Sequence, residues 1–259
     1  MTLHGKIPEA VKKREKTSVL LVLNVKKLRL LPILLLLFAA LTAIITARVR
    51  DEGKAAFAEG ISSASQTLII DAGHGGLDGG AVSLTGSLEK NINLEIAQRL
   101  HDLARLCGVR CVMTRETDEL PYPESAKTVS QKKMWDQSSR LELINSVENA
   151  VLISIHQNIY PDPRPMGAQV LYAGSHGSEE LGKMLHGGIV ELLDTENRRV
   201  AAPIDDSIFL MRNVSCPAAL VECGFLSNPE EAQRLETAEY QIKLSEILLM
   251  GCLSFMSLY

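Results

Sequence analysis

The sequence predicts one α/β domain with a mixed, largely parallel sheet flanked by helices on both faces, preceded by an N-terminal transmembrane helix. Three observations lead there. From residue 67 onward short apolar runs alternate with amphipathic stretches, the pattern of strands covered by helices. Residues 30–47 form an uncharged apolar run. The 259 residues suit one sizeable domain once that run is set aside, and are too few for two.

Taken in order, residues 1–29 are a basic segment expected on the cytoplasmic side. Residues 30–47 follow as a transmembrane signal anchor, 48–66 as a polar, Ala/Ser-rich linker, and 67–259 as the main domain. Eighteen helical residues span about 27 Å, close to the hydrocarbon thickness of a bilayer. Pro32 falls in the first turn, where a missing N–H costs little. Lysines and arginines crowd the N-terminal flank, so the positive-inside bias puts the N-terminus in the cytosol and the domain outside. Ala56-Phe57-Ala58 resembles a signal-peptidase site but lies far beyond the apolar run, which favours an uncleaved anchor. Residues 1–54 carry 11 Lys/Arg against 4 Asp/Glu, and the rest carry 16 against 27. An acidic main domain argues against a nucleic-acid partner.

Within the domain, Leu68–Ile70 reads as a buried strand. Leu88, Ile92, Ile96, Leu100 and Leu103 recur at helical spacing, with Ser87 as candidate N-cap and Gly108 closing the helix. Val109–Thr114 is strand-like, a helix is expected near Ser139–Glu148, and strands follow at Val151–Ile155 and Ala168–Tyr172. Glu179–Leu193 reads as a helix, Ile208–Leu210 and Ala218–Val221 as strands, and a last helix starts near Ala238. The polar stretch Glu116–Gln137, containing the only tryptophan, Trp135, reads as a long loop. Its length makes it a candidate lid or docking site for an activating protein.

Three polar clusters stand where apolar runs end. Asp71-Ala72-Gly73-His74-Gly75-Gly76 follows the first strand, with Glu89 fifteen residues on from His74, at a helix start and one step off its apolar stripe. Ser154-Ile155-His156-Gln157-Asn158 and Leu220-Val221-Glu222-Cys223-Gly224 end two more strands. Singly, each has an ordinary reading. A histidine at a strand end is more often a hydrogen-bonded structural residue, and a glutamate in a first helical turn answers the macrodipole. Glu222 is harder to explain so, because a carboxylate ending a buried strand needs a cation or donors. Together, two imidazoles and one carboxylate suit zinc with a position left for water, and Glu222 is a candidate general base and acid. Asp71, Gln157 and Asn158 are candidates to orient the ligands.

At these residues the sequence resembles the zinc-dependent N-acetylmuramoyl-L-alanine amidases. The likeness rests on Ile70–Gly76 with Asp78-Gly79-Gly80-Ala81, on Leu88-Glu89-Lys90 with Asn93-Leu94, and on Thr114-Arg115-Glu116-Thr117-Asp118. It continues through Ser154–Asn158 and Gly167–Val170 and ends at Pro217–Asn228. The resemblance implies His74, Glu89 and His156 as ligands of one zinc ion and Glu222 as the catalytic residue. It also implies a single α/β domain acting on the glycan-linked peptide stems of bacterial peptidoglycan. Arg115, in the third block, joins the residues expected around the ligands or on the substrate side. The layout of anchor plus catalytic domain is similar to the sporulation-type amidases that prepare spore cortex. A vegetative wall amidase, a zinc peptidase acting on the stem peptide, and a non-catalytic recruitment protein are the alternatives. Gln157, where a small residue is common, and the long 116–137 stretch depart from the family pattern.

The five cysteines have no ligand-like spacing and read as buried thiols, with a Cys107–Cys111 disulfide across Gly108 as the alternative. His101, His176 and His186 lack a partner cluster and are expected to face solvent.

Overall fold

The computed structural model describes residues 66–258. The apolar run at 30–47, its basic flank and nearly all of the linker lie outside the described residues. Among the described residues no helix is long and apolar enough to cross a membrane.

The six strands are β1 (Thr67–Ala72), β2 (Cys111–Met113), β3 (Ala150–Asn158), β4 (Gln169–Tyr172), β5 (Ala202–Pro203) and β6 (Ala218–Phe225). They form one sheet in the order β2-β1-β3-β6-β4-β5. All neighbouring pairs are parallel except β4 with β6. The mixed, largely parallel sheet expected from the sequence is therefore present. β1 and β3 are near-continuous apolar runs because both faces of the sheet are covered. Leu68, Ile70, Val151 and Ile153 face one layer, whereas Ile69 and Leu152 face the other. Each such fully buried Leu or Ile contributes about 1.5–3 kcal/mol.

The first layer is made by α1 (Glu89–Leu106), α3 (Ser178–Leu192) and α6 (Ala238–Met256); the second holds α2 (Val129–Ser146) and α4 (Phe209–Asn213). A short α5 (Pro229–Leu235) follows β6. α1 buries Glu89, Ile92, Asn93, Ile96, Ala97, Leu100 and Ala104. Glu89 is thus on the buried stripe rather than beside it. Ser87 is not the cap. The capping position is Leu88, and the first helical amides are met instead by the Ala81 and Gly79 carbonyls. Gly108, at φ 74°, closes the helix as expected, with Val109 N–H donating back to Ala104 O.

Two sequence expectations change here. The polar stretch 116–137 is a loop only to residue 128, after which α2 begins. Thr128 and Gln131 form a reciprocal capping box that starts the helix. Its buried face carries Asp136 and Arg140 as well as Ile144, so no apolar period announces it. Residues 208–210 are not a strand but lead into α4, a short apolar run whose periodicity cannot separate the two. α5 was also missed. Asn228 caps it by accepting from Glu230 and Glu231 amides, with Pro229 in the first turn.

Because β1, β3 and β6 run parallel, their carboxyl ends share one edge. His156 pairs with Glu222 across β3 and β6, and Asp71 with Ser154 across β1 and β3. A bulge just beyond sets Cys223 and Gly224 of β6 against Gln157. This edge is where an α/β sheet keeps its ligands. All five cysteines are free thiols, so Cys107 and Cys111 are unbridged.

Candidate metal centre

His74 leaves β1 in the left-handed region at φ 61°, followed by Gly75 and Gly76 at φ 139° and 54°. For a residue with a Cβ this conformation costs on the order of 1–3 kcal/mol and needs outside support. Two buried guanidiniums supply it. Arg115 donates Nε to Ala72 O at 2.9 Å and Nη2 to Gly73 O at 3.1 Å, as well as to Lys90 O at 2.7 Å. Arg140 donates Nη1 to Ala72 O at 2.6 Å and Nη2 to His74 O at 2.5 Å. Three successive carbonyls are therefore held by two arginines, whose charges are balanced by Asp71 and Asp136. Asp71 accepts from Arg140 at 2.8 Å, from Thr114 at 2.6 Å and from Ser154 at 2.5 Å. Burial works to raise its pKa, but Arg140 and the two hydroxyls outweigh it and hold the carboxyl at about 2. Arg115, pressed down to about 10 by burial and by Arg140, keeps its charge at neutral pH.

Glu89 stands at the meeting point of the two imidazoles. Its Oε1 lies 3.2 Å from His74 Nε2 and 3.1 Å from His156 Nδ1. The same oxygen accepts from Gln157 N at 3.0 Å and Asn93 Nδ2 at 3.3 Å, while Oε2 accepts from Ala81 N at 2.8 Å. Burial opposes its ionisation, yet the hydrogen bonds from His156 and His74 pull its pKa far below the ordinary carboxylate range. His74 moves the other way. Burial would lower its pKa, but Glu89 and Asp78 raise it. The rings meet edge to face, 5.0 Å between centroids.

One donor atom from each of His74, Glu89 and His156 lies within 4.8 Å of the others. Two nitrogens and an oxygen around a tetrahedral zinc sit about 3.3 Å apart, so the His–Glu spacings fit that metal. Glu222 adds a second sign. Its Oε2 is sealed from water and has no hydrogen-bond partner among the described residues. Burial raises its pKa, the Glu89 charge adds to the rise, and the imidazoles partly offset it. A buried carboxylate oxygen without donors is costly and calls for a cation, a water or a substrate proton beside it.

These groups line a cleft of about 400 Å³. Its lining is polar at Lys133, Asp136 and Arg140 of α2 and apolar at Ile159, Ile208 and Phe209. Of the residues the sequence singled out, His74, Glu89, His156 and Glu222 come together here. Asp71 and Arg115 are buried under the His74 loop, not exposed to a substrate. Gln157 holds Glu89 through its amide and Asn93 through its side chain, at 3.1 Å. Asn158 lines the cleft. Sequence reasoning missed Arg140, Asp136, Asn93, Asp78 and Lys133. The spacing of Asp136 from Arg140, and of Glu89 from Asn93, was the available signal, since four residues is one helical turn. His186 does not face solvent. It is buried and its Nε2 meets Arg199 O at 2.7 Å.

Fold and site together define a hydrolase built on a mixed α/β sheet, with its chemistry at the carboxyl edge. The chain belongs to the N-acetylmuramoyl-L-alanine amidase family, whose model matches residues 68–252. It is 39% identical over 189 residues to the germination-specific N-acetylmuramoyl-L-alanine amidase of Bacillus subtilis, covering 73% of this chain and 78% of that one. Among solved structures it resembles the CwlD amidase of Clostridioides difficile in complex with the GerS lipoprotein. That likeness has a TM-score of 0.71 and 35% identity, over 74% of this chain and 99% of that one. An N-acetylmuramoyl-L-alanine amidase of Clostridium difficile 630 matches at TM-score 0.63 and 30% identity, over 73% and 96%.

Proposed function

We propose that the protein is a zinc amidase that hydrolyses the bond between N-acetylmuramic acid and L-alanine in peptidoglycan, acting in spore-cortex maturation. The observation that carries the chemistry is the convergence of His74 Nε2 and His156 Nδ1 on Glu89 Oε1, with the orphaned Glu222 carboxylate opposite His156. The cortex role is supported by the likeness to the germination-specific amidase of Bacillus subtilis.

In this reading His74, Glu89 and His156 hold one zinc. When bound, zinc supplies a water acidic enough to lose its proton near neutral pH and a positive centre for the amide oxygen. Glu222 takes the proton of the attacking water and returns it to the departing L-alanine nitrogen. Its raised proton affinity suits a group that must accept before it donates. Ile159, Ile208 and Phe209 add apolar surface to the lining of the cleft.

The apolar run at residues 30–47 anchors the chain in the bacterial cytoplasmic membrane, with the catalytic domain outside. An envelope protein that switches the enzyme on is in keeping with a structural neighbour solved in complex with a lipoprotein.

Digesting peptidoglycan with the full chain and with Glu222→Gln, while measuring zinc content, tests the proposal. One zinc per chain in both, with muramic acid bearing a free lactyl carboxylate only from the unmutated form, is expected. Cuts inside the stem peptide instead would make the protein a peptidase, and release by Glu222→Gln would remove that residue from the mechanism.

A further inference from the structure

α2 reaches the His74 loop at two places. Arg140 holds the His74 carbonyl oxygen, as described. Seven residues earlier on the same face of the helix, Lys133 Nζ lies 2.8 Å from Asp78 Oδ1. The other oxygen of that carboxylate, Oδ2, lies 3.1 Å from His74 Nδ1, an ion-pair distance. Asp78 reaches the ring because Gly75 and Asp78 exchange two backbone hydrogen bonds of 2.9 Å, folding the chain back upon itself. The Gly80 amide, 3.4 Å from Oδ1, completes the groups facing it. His156 is set differently. Its ring fills the space above Gly73.

A histidine that ligates through one ring nitrogen is ordinarily oriented by a carboxylate at the other, and such outer partners govern affinity. His74 presents Nε2 to Glu89 and Nδ1 to Asp78, so the ring has the ligating nitrogen inward and the carboxylate behind it. We propose that Asp78, held in place by Lys133, is the positioning residue for His74, so that α2 governs how tightly the centre holds its metal. This inference rests on the zinc reading above.

The test uses the full-length chain, zinc alone and a competing chelator. Zinc affinity is measured for the unmutated protein, His74→Ala, Asp78→Ala, Lys133→Met and Lys133→Arg, together with Tm of each zinc-free form. Asp78→Ala is expected to weaken zinc binding by about 10- to 100-fold. Lys133→Met should weaken it by about two- to fivefold, the scale of a half-exposed ion pair, and Lys133→Arg should restore it. The zinc-free Tm should stay close to that of the unmutated chain. Should Asp78→Ala disturb the loop and lower that Tm, Lys133→Met decides, since it leaves the loop sequence intact. Unchanged affinity in Lys133→Met and Asp78→Ala, with His74→Ala abolishing binding, would overturn the positioning role and leave the metal site standing. Zinc uptake no greater in the unmutated chain than in His74→Ala would overturn the metal reading and this inference with it.

Discussion

The His156 ring leaves Gly73 no room for a side chain: a Cβ built there would lie 2.3 Å from its Cε1 and Nε2 and 2.7 Å from its Cδ2. The two residues sit on neighbouring parallel strand ends, so neither backbone can withdraw without breaking the β1–β3 ladder. The glycine is therefore a requirement of the candidate ligand beside it.

Gly73→Ala is expected to swing the His156 ring off Glu89 while the rest of the domain folds. Zinc affinity should fall by about 100-fold, the scale of a lost ligand orientation. Isothermal titration with zinc checks this, and affinity within a factor of two of the parent would show that the ring can move aside freely.

Arg140→Met would leave Asp71 and Asp136 buried without their shared guanidinium. Breaking a buried pair from one side costs about 3–5 kcal/mol. For a domain of this size that corresponds to a Tm loss of roughly 10 °C. Thermal unfolding followed by circular dichroism measures it, and a loss below 2 °C would mean that the network relaxes around the change.

Asp71 ties stability to acid. Its carboxyl is held at about 2, below its ordinary value of 3.8. A depressed folded-state pKa gives stability that is present above the unfolded value and lost as pH falls through the folded one. About 2 kcal/mol should therefore be present above pH 5 and disappear between about pH 4 and 2. Urea midpoints across that range should show the gap between the parent and Asp71→Asn closing toward pH 2. A gap independent of pH would place the charge of Asp71 outside the stability balance.

Zinc should stabilise the fold by linkage. At a free concentration one hundred times Kd, an ion that binds only the folded chain adds about 2.7 kcal/mol, roughly 5–10 °C in Tm. Chelation should reverse the gain, and His74→Ala should show none. An equal rise in that variant would point to binding elsewhere.

The parts legible in the sequence share a cause. β1, β3 and β6 are mostly apolar and covered on both faces, so the polar residues toward their carboxyl ends, the Asp71–His74 segment, His156 and Glu222, stand out. The unread parts are those where polar groups are buried. α2 hides Asp136 and Arg140 on its inner face, and its amino-terminal half therefore looked like loop. Glu89 is legible as a candidate ligand; its burial is not, because the Ala81 amide that donates to its Oε2 comes from the loop 79–81. Asn93, one turn on, is legible only through that carboxylate. The start of α5 was signalled by Asn228-Pro229-Glu230-Glu231, whose local rules require no tertiary information.

The sheet ends in very short margins. β2 has three residues, and β5 only two, the second being the exposed Pro203, which has no N–H to offer. An open margin is a template on which another copy can add a strand, and length and free donors are what make it dangerous. Here neither border gives a neighbour a run of donors and acceptors to zip onto. Copies crowded together at high local concentration would then find side chains rather than open strand edges to meet through.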